Sequence, residues 1–196
     1  MALKAVLFDL GGVLLPFDRE RRVTAIAART GASQHAVRTF MASDIHQALD
    51  RGDANETDLA AAMGVAFGRP FAAEEAIELV CSVFEAPNHD LWALAAALRG
   101  RVTVGGFSDN PVFVTRMFPH GAKLEPMLFS SEVRACKPSA AAFAAAEAAV
   151  LCAPEEILFI DDSPPNIAAA KARGWDGIVF VTNAQIGAEL AQRGLA

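Results

Sequence analysis

The sequence predicts an α/β fold: a parallel sheet with helices on both faces, interrupted by an inserted all-helical segment. Three observations predict it. Short apolar runs of strand length recur, each bounded by Gly, Pro or acidic residues. From residue 87 onward these runs alternate with helix-length stretches, the pattern of βαβ crossovers and a parallel sheet. Between residues 18 and 86 the pattern is helical throughout.

The first strand is KAVLFD, residues 4–9, an apolar run ending in Asp9 and followed at once by Gly11 and Gly12. Helices are then expected over 19–29, 33–50, 56–66 and 72–85, punctuated by Thr30-Gly31 and Gly68-Arg69-Pro70. Ser33 and Thr57 are the expected N-caps, since a hydroxyl can accept one of the unpaired first-turn N–H groups. The alternation that follows comprises helix 90–99, strand 101–107, a short helix 110–118 and a short strand 126–130. It continues with helix 138–150, strand 156–160, helix 163–173, strand 177–181 and a final helix 183–194. The alanine-rich stretches 93–97 and 140–149 read as helix, because alanine loses the least entropy there.

With 196 residues and 53% apolar content the chain can bury a substantial core. A net charge of −6 argues against a nucleic-acid-binding face, which needs clustered Lys and Arg. The three cysteines, Cys81, Cys136 and Cys152, have no metal-ligand spacing and read as reduced thiols of a cytoplasmic protein. The N-terminal apolar stretch is short and broken by Lys4 and Asp9, so neither a signal peptide nor a membrane span is expected.

Three predicted strands end in polar residues. They end at Asp9, at Ser108-Asp109-Asn110 and at Asp161-Asp162-Ser163. In a parallel sheet these ends share one edge, where ligands of open α/β sheets bind. Carboxylates brought together repel unless a cation neutralises them, and an oxygen-only set of this kind suits Mg²⁺. Lys137, in Ala135-Cys136-Lys137-Pro138-Ser139, is expected beside the start of helix 138–150 with Pro138 at its first position. The helix dipole disfavours a lysine there, which points to an anion nearby.

In this order the segments resemble the four motifs of the haloacid-dehalogenase-like hydrolases: VLFDLGGVLL, FSDN, CKPS and FIDDSPPNIAAAKARGW. The resemblance spans residues 4 to about 181. It implies a Rossmann-like core of residues 1–16 and 87–196 with a helical cap of residues 17–86. It implies a Mg²⁺-dependent hydrolase of small phosphomonoesters in which Asp9 forms an aspartyl-phosphate. Ser108 and the Asp109 backbone N–H would bind phosphate oxygens, and Lys137 would neutralise the nucleophile and the transferring group. Asp9, the Gly11 carbonyl and Asp162 would hold the metal. Asp162 is favoured over Asp161 because it matches the Asp of the relatives' Gly-Asp-Ser-like pattern; Asp161 would stand behind it or compete as a ligand. Asn166 would steady the site one helical turn on.

Gly11 departs from the pattern. Phosphatases of the family usually carry an aspartate two residues after the nucleophile, as general acid and base. Its absence would cost about 10²–10⁴-fold in rate. Asp109 is one candidate replacement; capping the following helix is its other reading. Two other functions stay open: a degenerate, non-catalytic binding module, and a 2-haloacid dehalogenase. A phosphomutase would need the missing acid/base. His35, His46, His89 and His120 show no ligand spacing and read as surface or capping residues, and Trp92 and Trp175 as core. Arg134 is a candidate contact for an anionic substrate. Asp18, Arg21, Arg22, Asp44 and His46 are candidates to face the site, although a solvated helix face suits most of them. The expected partner is a small phosphorylated metabolite, with no nucleic acid and no membrane, for a monomer or homodimer. Cap side chains would set the substrate, and their placement is not in the sequence.

Overall fold

The computed structural model describes residues 2–82 and 86–195. Five strands form one sheet: β1 (Ala5–Phe8), β2 (Thr103–Ser108), β3 (Met127–Phe129), β4 (Ile157–Asp161) and β5 (Asp176–Val179). Their spatial order is β3-β2-β1-β4-β5, and every pairing is parallel. β1 is therefore central, with Phe8 opposite Gly106 on one side and Ile160 on the other.

Alternation along β1 sends its side chains to two separate cores. Val6 and Phe8 pack on the face that also buries Leu91 and Trp92 of α6 (His89–Ala97) and Ile186 and Leu190 of α10 (Asn183–Gln192). Ala5 and Leu7 pack on the other, with Phe143 of α8 (Ala140–Val150) and Ile167 of α9 (Pro164–Ala172). That second core holds an aromatic cluster in which Phe107 meets Phe143 edge-on at 5.3 Å and Trp175 closes on Phe143 at 5.2 Å. The glycines of VTVGGF have a packing reason. A Cβ at Gly105 would sit 2.6 Å from the Pro126 carbonyl oxygen, and one at Gly106 would sit 2.2 Å from the Met127 sulfur.

Between β1 and α6 run α1 (Arg19–Thr30), α2 (Gln34–Met41), α3 (Asp44–Asp50), α4 (Glu56–Phe67) and α5 (Ala73–Cys81). The single helix expected over 33–50 is two. The chain breaks at Ala42 and Ser43, where extended backbone at Ser43 starts a new helix. Ser33 is an N-cap as expected, but Thr57 is not. Asn55 caps α4 through a reciprocal box in which Asp58 accepts the Asn55 N–H at 2.9 Å. The last three residues of the helix expected over 72–85 lie outside the described residues.

The short helix expected over 110–118 is a 3-10 turn, Val112–Met117, and α7 (Ser130–Val133) was not anticipated. The helix expected from Pro138 begins at Ala140, with Ser139 as its N-cap. Lys137 therefore lies in the turn that precedes the helix, two residues before its N-cap. α5 packs on the 3-10 turn and α3 on α7, so the helical segment meets the core at the carboxyl edge of the sheet. Arg134 reaches across this junction to Asp53 at 2.7 Å and to the Gly52 carbonyl at 3.1 Å. Its guanidinium thus joins the two parts, a role the sequence reading did not assign. Among the described residues no helix is long and apolar enough to cross a membrane.

Candidate active site

The sheet register places the site. Asp9 follows β1, and its backbone N–H donates to the Ile160 carbonyl at 2.9 Å, which brings it level with Asp161 at the end of β4. Ser108 ends β2 on the other side. Lys137 enters from the turn before α8 and is almost wholly buried, with its side chain 2% exposed. Its ammonium makes three donations: to Asp9 Oδ1 at 2.8 Å, to Asp161 Oδ2 at 2.7 Å and to the Phe107 carbonyl at 3.0 Å. The Phe107 and Phe159 rings lie 5.3 and 5.2 Å from Nζ. Burial alone would lower the Lys137 pKa, but Asp9, Asp161 and Asp109 outweigh it and hold the lysine charged.

Asp161 is fully buried and engaged at both oxygens. Oδ1 accepts the Ser163 backbone N–H at 2.7 Å, and Asn166 Nδ2 lies 3.2 and 3.0 Å from the two oxygens. Asp162 points elsewhere. A Cβ at Gly12 would come within 2.3 Å of its Oδ2, so its carboxylate lies over the glycine turn after the first strand. Gly12 has φ +77°, a second reason for glycine there. Gly11 differs, because a Cβ built on it meets nothing within 4 Å.

Oxygens of Asp9, Asp161 and Asp162 lie within 4.8 Å of one another. Burial, partly offset by Lys137, pushes the Asp9 carboxyl up to about 6, and Asp161 adds to the shift. Burial likewise raises Asp162 and Asp109. One lysine thus faces four carboxylates. A divalent cation that prefers oxygen ligands would supply the charge this set lacks.

The cleft at this edge has a volume of about 260 Å³ and is lined by Asp9, Gly11, Asp109, Lys137, Asp162 and Asn166, with Gly12, Phe17 and Asn110 completing it. Asp109 accepts the Lys137 backbone N–H at 3.0 Å and so fixes the turn that delivers the lysine. Ser108 is fully buried, and its hydroxyl accepts from Asn110 Nδ2 at 2.9 Å. Asn110 stands on the lining in front of it. In the sequence Asn110 reads only as part of the polar strand end; in the fold it lines the cleft while its amide donates to Ser108. Of the helical-segment candidates, Arg22 and His46 line a larger neighbouring cavity. Asp18 caps α1, and Asp44 is exposed in the first turn of α3. Trp92 and Trp175 are core residues, as expected.

A buried carboxylate, a buried lysine and an acidic cluster thus meet at the carboxyl edge of a doubly wound sheet. The family model of the haloacid dehalogenase-like hydrolases matches residues 3–174, and the chain belongs to that family. Its fold resembles that of a predicted HAD-like hydrolase from Porphyromonas gingivalis, with TM-score 0.83 and 21% identity over 98% of this chain and 99% of that one. It also resembles the HAD family enzyme bt-2542 from Bacteroides thetaiotaomicron, with TM-score 0.81 and 21% identity over 93% and 96%. The L-2-haloacid dehalogenase from Xanthobacter autotrophicus is more distant, with TM-score 0.65 and 16% identity over 99% and 84%. No curated protein sequence matches the chain.

Proposed function

We propose that the protein is a Mg²⁺-dependent phosphomonoester hydrolase that works through an aspartyl-phosphate on Asp9. The observation that carries this reading is Lys137 bridging Asp9 and Asp161 beside the free-standing carboxylate of Asp162. Asp9, the Gly11 carbonyl and Asp162 would hold the cation, since both Asp161 oxygens already accept from nitrogen donors. When bound, the ion shields the carboxylates and draws charge from the phosphoryl oxygens. Residues 17–86 would act as a cap over the cleft.

In the first step an Asp9 oxygen forms a bond to phosphorus while the bond from phosphorus to the leaving oxygen breaks. The leaving oxygen departs with that electron pair. Gly11 has no proton to give, so solvent or Asp109 protonates it. In the second step water attacks phosphorus and gives its proton to Asp109 or solvent, the Asp9–phosphorus bond breaks with its electron pair returning to the carboxylate, and inorganic phosphate leaves. Lys137 holds Asp9 aligned and balances the transferring charge throughout. The enzyme bt-2542 has a structure in complex with magnesium and inorganic phosphate, which supports the reading. A dehalogenase reading rests on the more distant likeness and does not account for an acidic cluster in excess of its lysine.

The test is phosphate release from an aryl phosphate with and without Mg²⁺. The wild type is expected to require the metal, and Asp9→Asn to lose at least roughly 10⁴-fold. Metal-independent chloride release from 2-chloropropionate, with no phosphate release, would sink the proposal in favour of a dehalogenase.

A further inference from the structure

Beside the nucleophile cleft lies a larger cavity of about 470 Å³, and Phe17 and Asn110 line both. Its volume suits an organic group of drug-fragment size or larger. Much of its wall is apolar, formed by Val23, Leu49, Val80, Phe113 and Val114. Two cationic side chains on this lining are treated differently. Arg38 is neutralised, with Nη2 2.5 Å from Glu20 Oε2. Arg22 is not: among the described residues no hydrogen bond or ion pair engages its guanidinium, and its Nε is buried without a partner. The Phe17 ring lies 5.4 Å from its Cζ. His46 Nε2, also on this lining, is likewise buried and unpartnered.

A buried guanidinium nitrogen with no acceptor is costly, and burial lowers the Arg22 pKa to about 10, with Asp50 offsetting part of the shift. Asp50 acts on Arg22 from a distance but makes no ion pair with it. Burial and Asp109 push its own carboxyl up to about 7, so it is only partly ionised at neutral pH. Arg19 also lines the cavity but is exposed to water. What burial leaves unmet is the Nε–H of Arg22, on a side chain that carries a positive charge, and near it an imidazole nitrogen. A carboxylate matches that set in charge and shape. A second phosphate group would bring more negative charge than Arg22 balances, next to Asp50.

We infer that the cavity receives the leaving group of the substrate, and that this group is an apolar, ring-sized body ending in a carboxylate that pairs with Arg22 and His46. The inference rests on the phosphatase reading for its reaction and on the cavity alone for its selectivity. Arg22 is here a specificity residue: it holds the far end of the molecule while Asp9 acts on the near end.

The probes are phenyl phosphate and its para-carboxylated analogues, with the carboxyl carried on zero, one or two methylenes. In the wild type the best analogue is expected to exceed phenyl phosphate in kcat/KM by roughly tenfold to a hundredfold, the range of a charge-assisted hydrogen bond. In Arg22→Met, which keeps the apolar stem, that ratio falls to about one, and Arg22→Lys restores part of it. A wild-type ratio near one, or a ratio unchanged in folded Arg22→Met, overturns the inference. Should no compound release phosphate, the phosphatase reading fails by itself. Calorimetry with the same compounds then decides the cavity: tighter wild-type binding of the carboxylated member, lost in Arg22→Met, upholds it, and equal binding refutes it. Thermal melts of both variants confirm that they are folded.

Discussion

The two cavities that meet at Phe17 and Asn110 are built on opposite principles. At the strand ends the buried charges are tied down, and only Asp162 stands free. Lys137 donates three times, Asp161 accepts at both oxygens, and Asn166 and the Ser163 N–H hold the network from the side. In the helical segment Arg22 Nε and His46 Nε2 are buried with nothing to bind, and Asp50 is half-buried and easily protonated. The contrast separates what must be rigid before substrate arrives from what substrate must complete. Transition-state stabilisation needs preorganised charge, whereas selection needs partners that only the right molecule supplies.

The largest expected effect tests the gap within the rigid half. A side chain at Gly11 has open space. Gly11→Asp is therefore expected to fold normally and to raise phosphatase turnover by about 10²–10⁴-fold, by supplying the absent acid and base. Steady-state kinetics beside the wild type would check it, and a rate unchanged in a folded variant would show that proton transfer is already provided, with Asp109 the first place to look.

Removing the central cation should break the rigid half outright. Lys137→Met leaves Asp9 and Asp161 buried without their shared partner, and a loss of about 3–5 kcal/mol is expected in urea unfolding. A loss below about 1 kcal/mol would mean that the carboxylates simply take up protons and that the pairing is not what fixes them.

The smallest effect concerns the unfinished half. The Asp50 carboxyl, raised to about 7 by burial and by Asp109 and lowered in part by Arg22 and Arg51, holds its proton longer folded than unfolded. Its contribution is fully present below about pH 4, the ordinary carboxylate range, and is lost as pH rises through about 7. Asp50→Asn should therefore melt a few degrees above the wild type at pH 8, with the difference vanishing near pH 4. Equal melting temperatures across that range would place Asp50 in contact with water.

Much of the site was legible because strand ends are legible. KAVLFD, VTVGGF and EILFI are apolar runs that stop at polar residues, and parallel order forces those stops onto one edge. The position of Lys137 in the chain and an anion beside it are readable, whereas Pro138 suggests a helix start two residues too early and Ser139 is the residue that caps. The break at Ser43 and the Asn55–Asp58 box were missed because several neighbouring polar residues offer equivalent local caps, and packing chooses among them. Asn110 follows Ser108 and Asp109 in the sequence, and only the fold sets it on the cleft wall. Nothing in the sequence separates Arg22 from Arg21 or Arg38, since pairing depends on which helix faces which.

The acidic edge, its order along the chain and the glycine that replaces the expected acid/base residue belong to the sequence alone, because covalent neighbours and strand periodicity determine them. Only the tertiary structure decided which carboxylates Lys137 neutralises, which one stands free over Gly12, and which arginine nitrogen is buried without a partner among the described residues. Those outcomes depend on distances between segments far apart in the chain, and charge interactions are set by distance and burial.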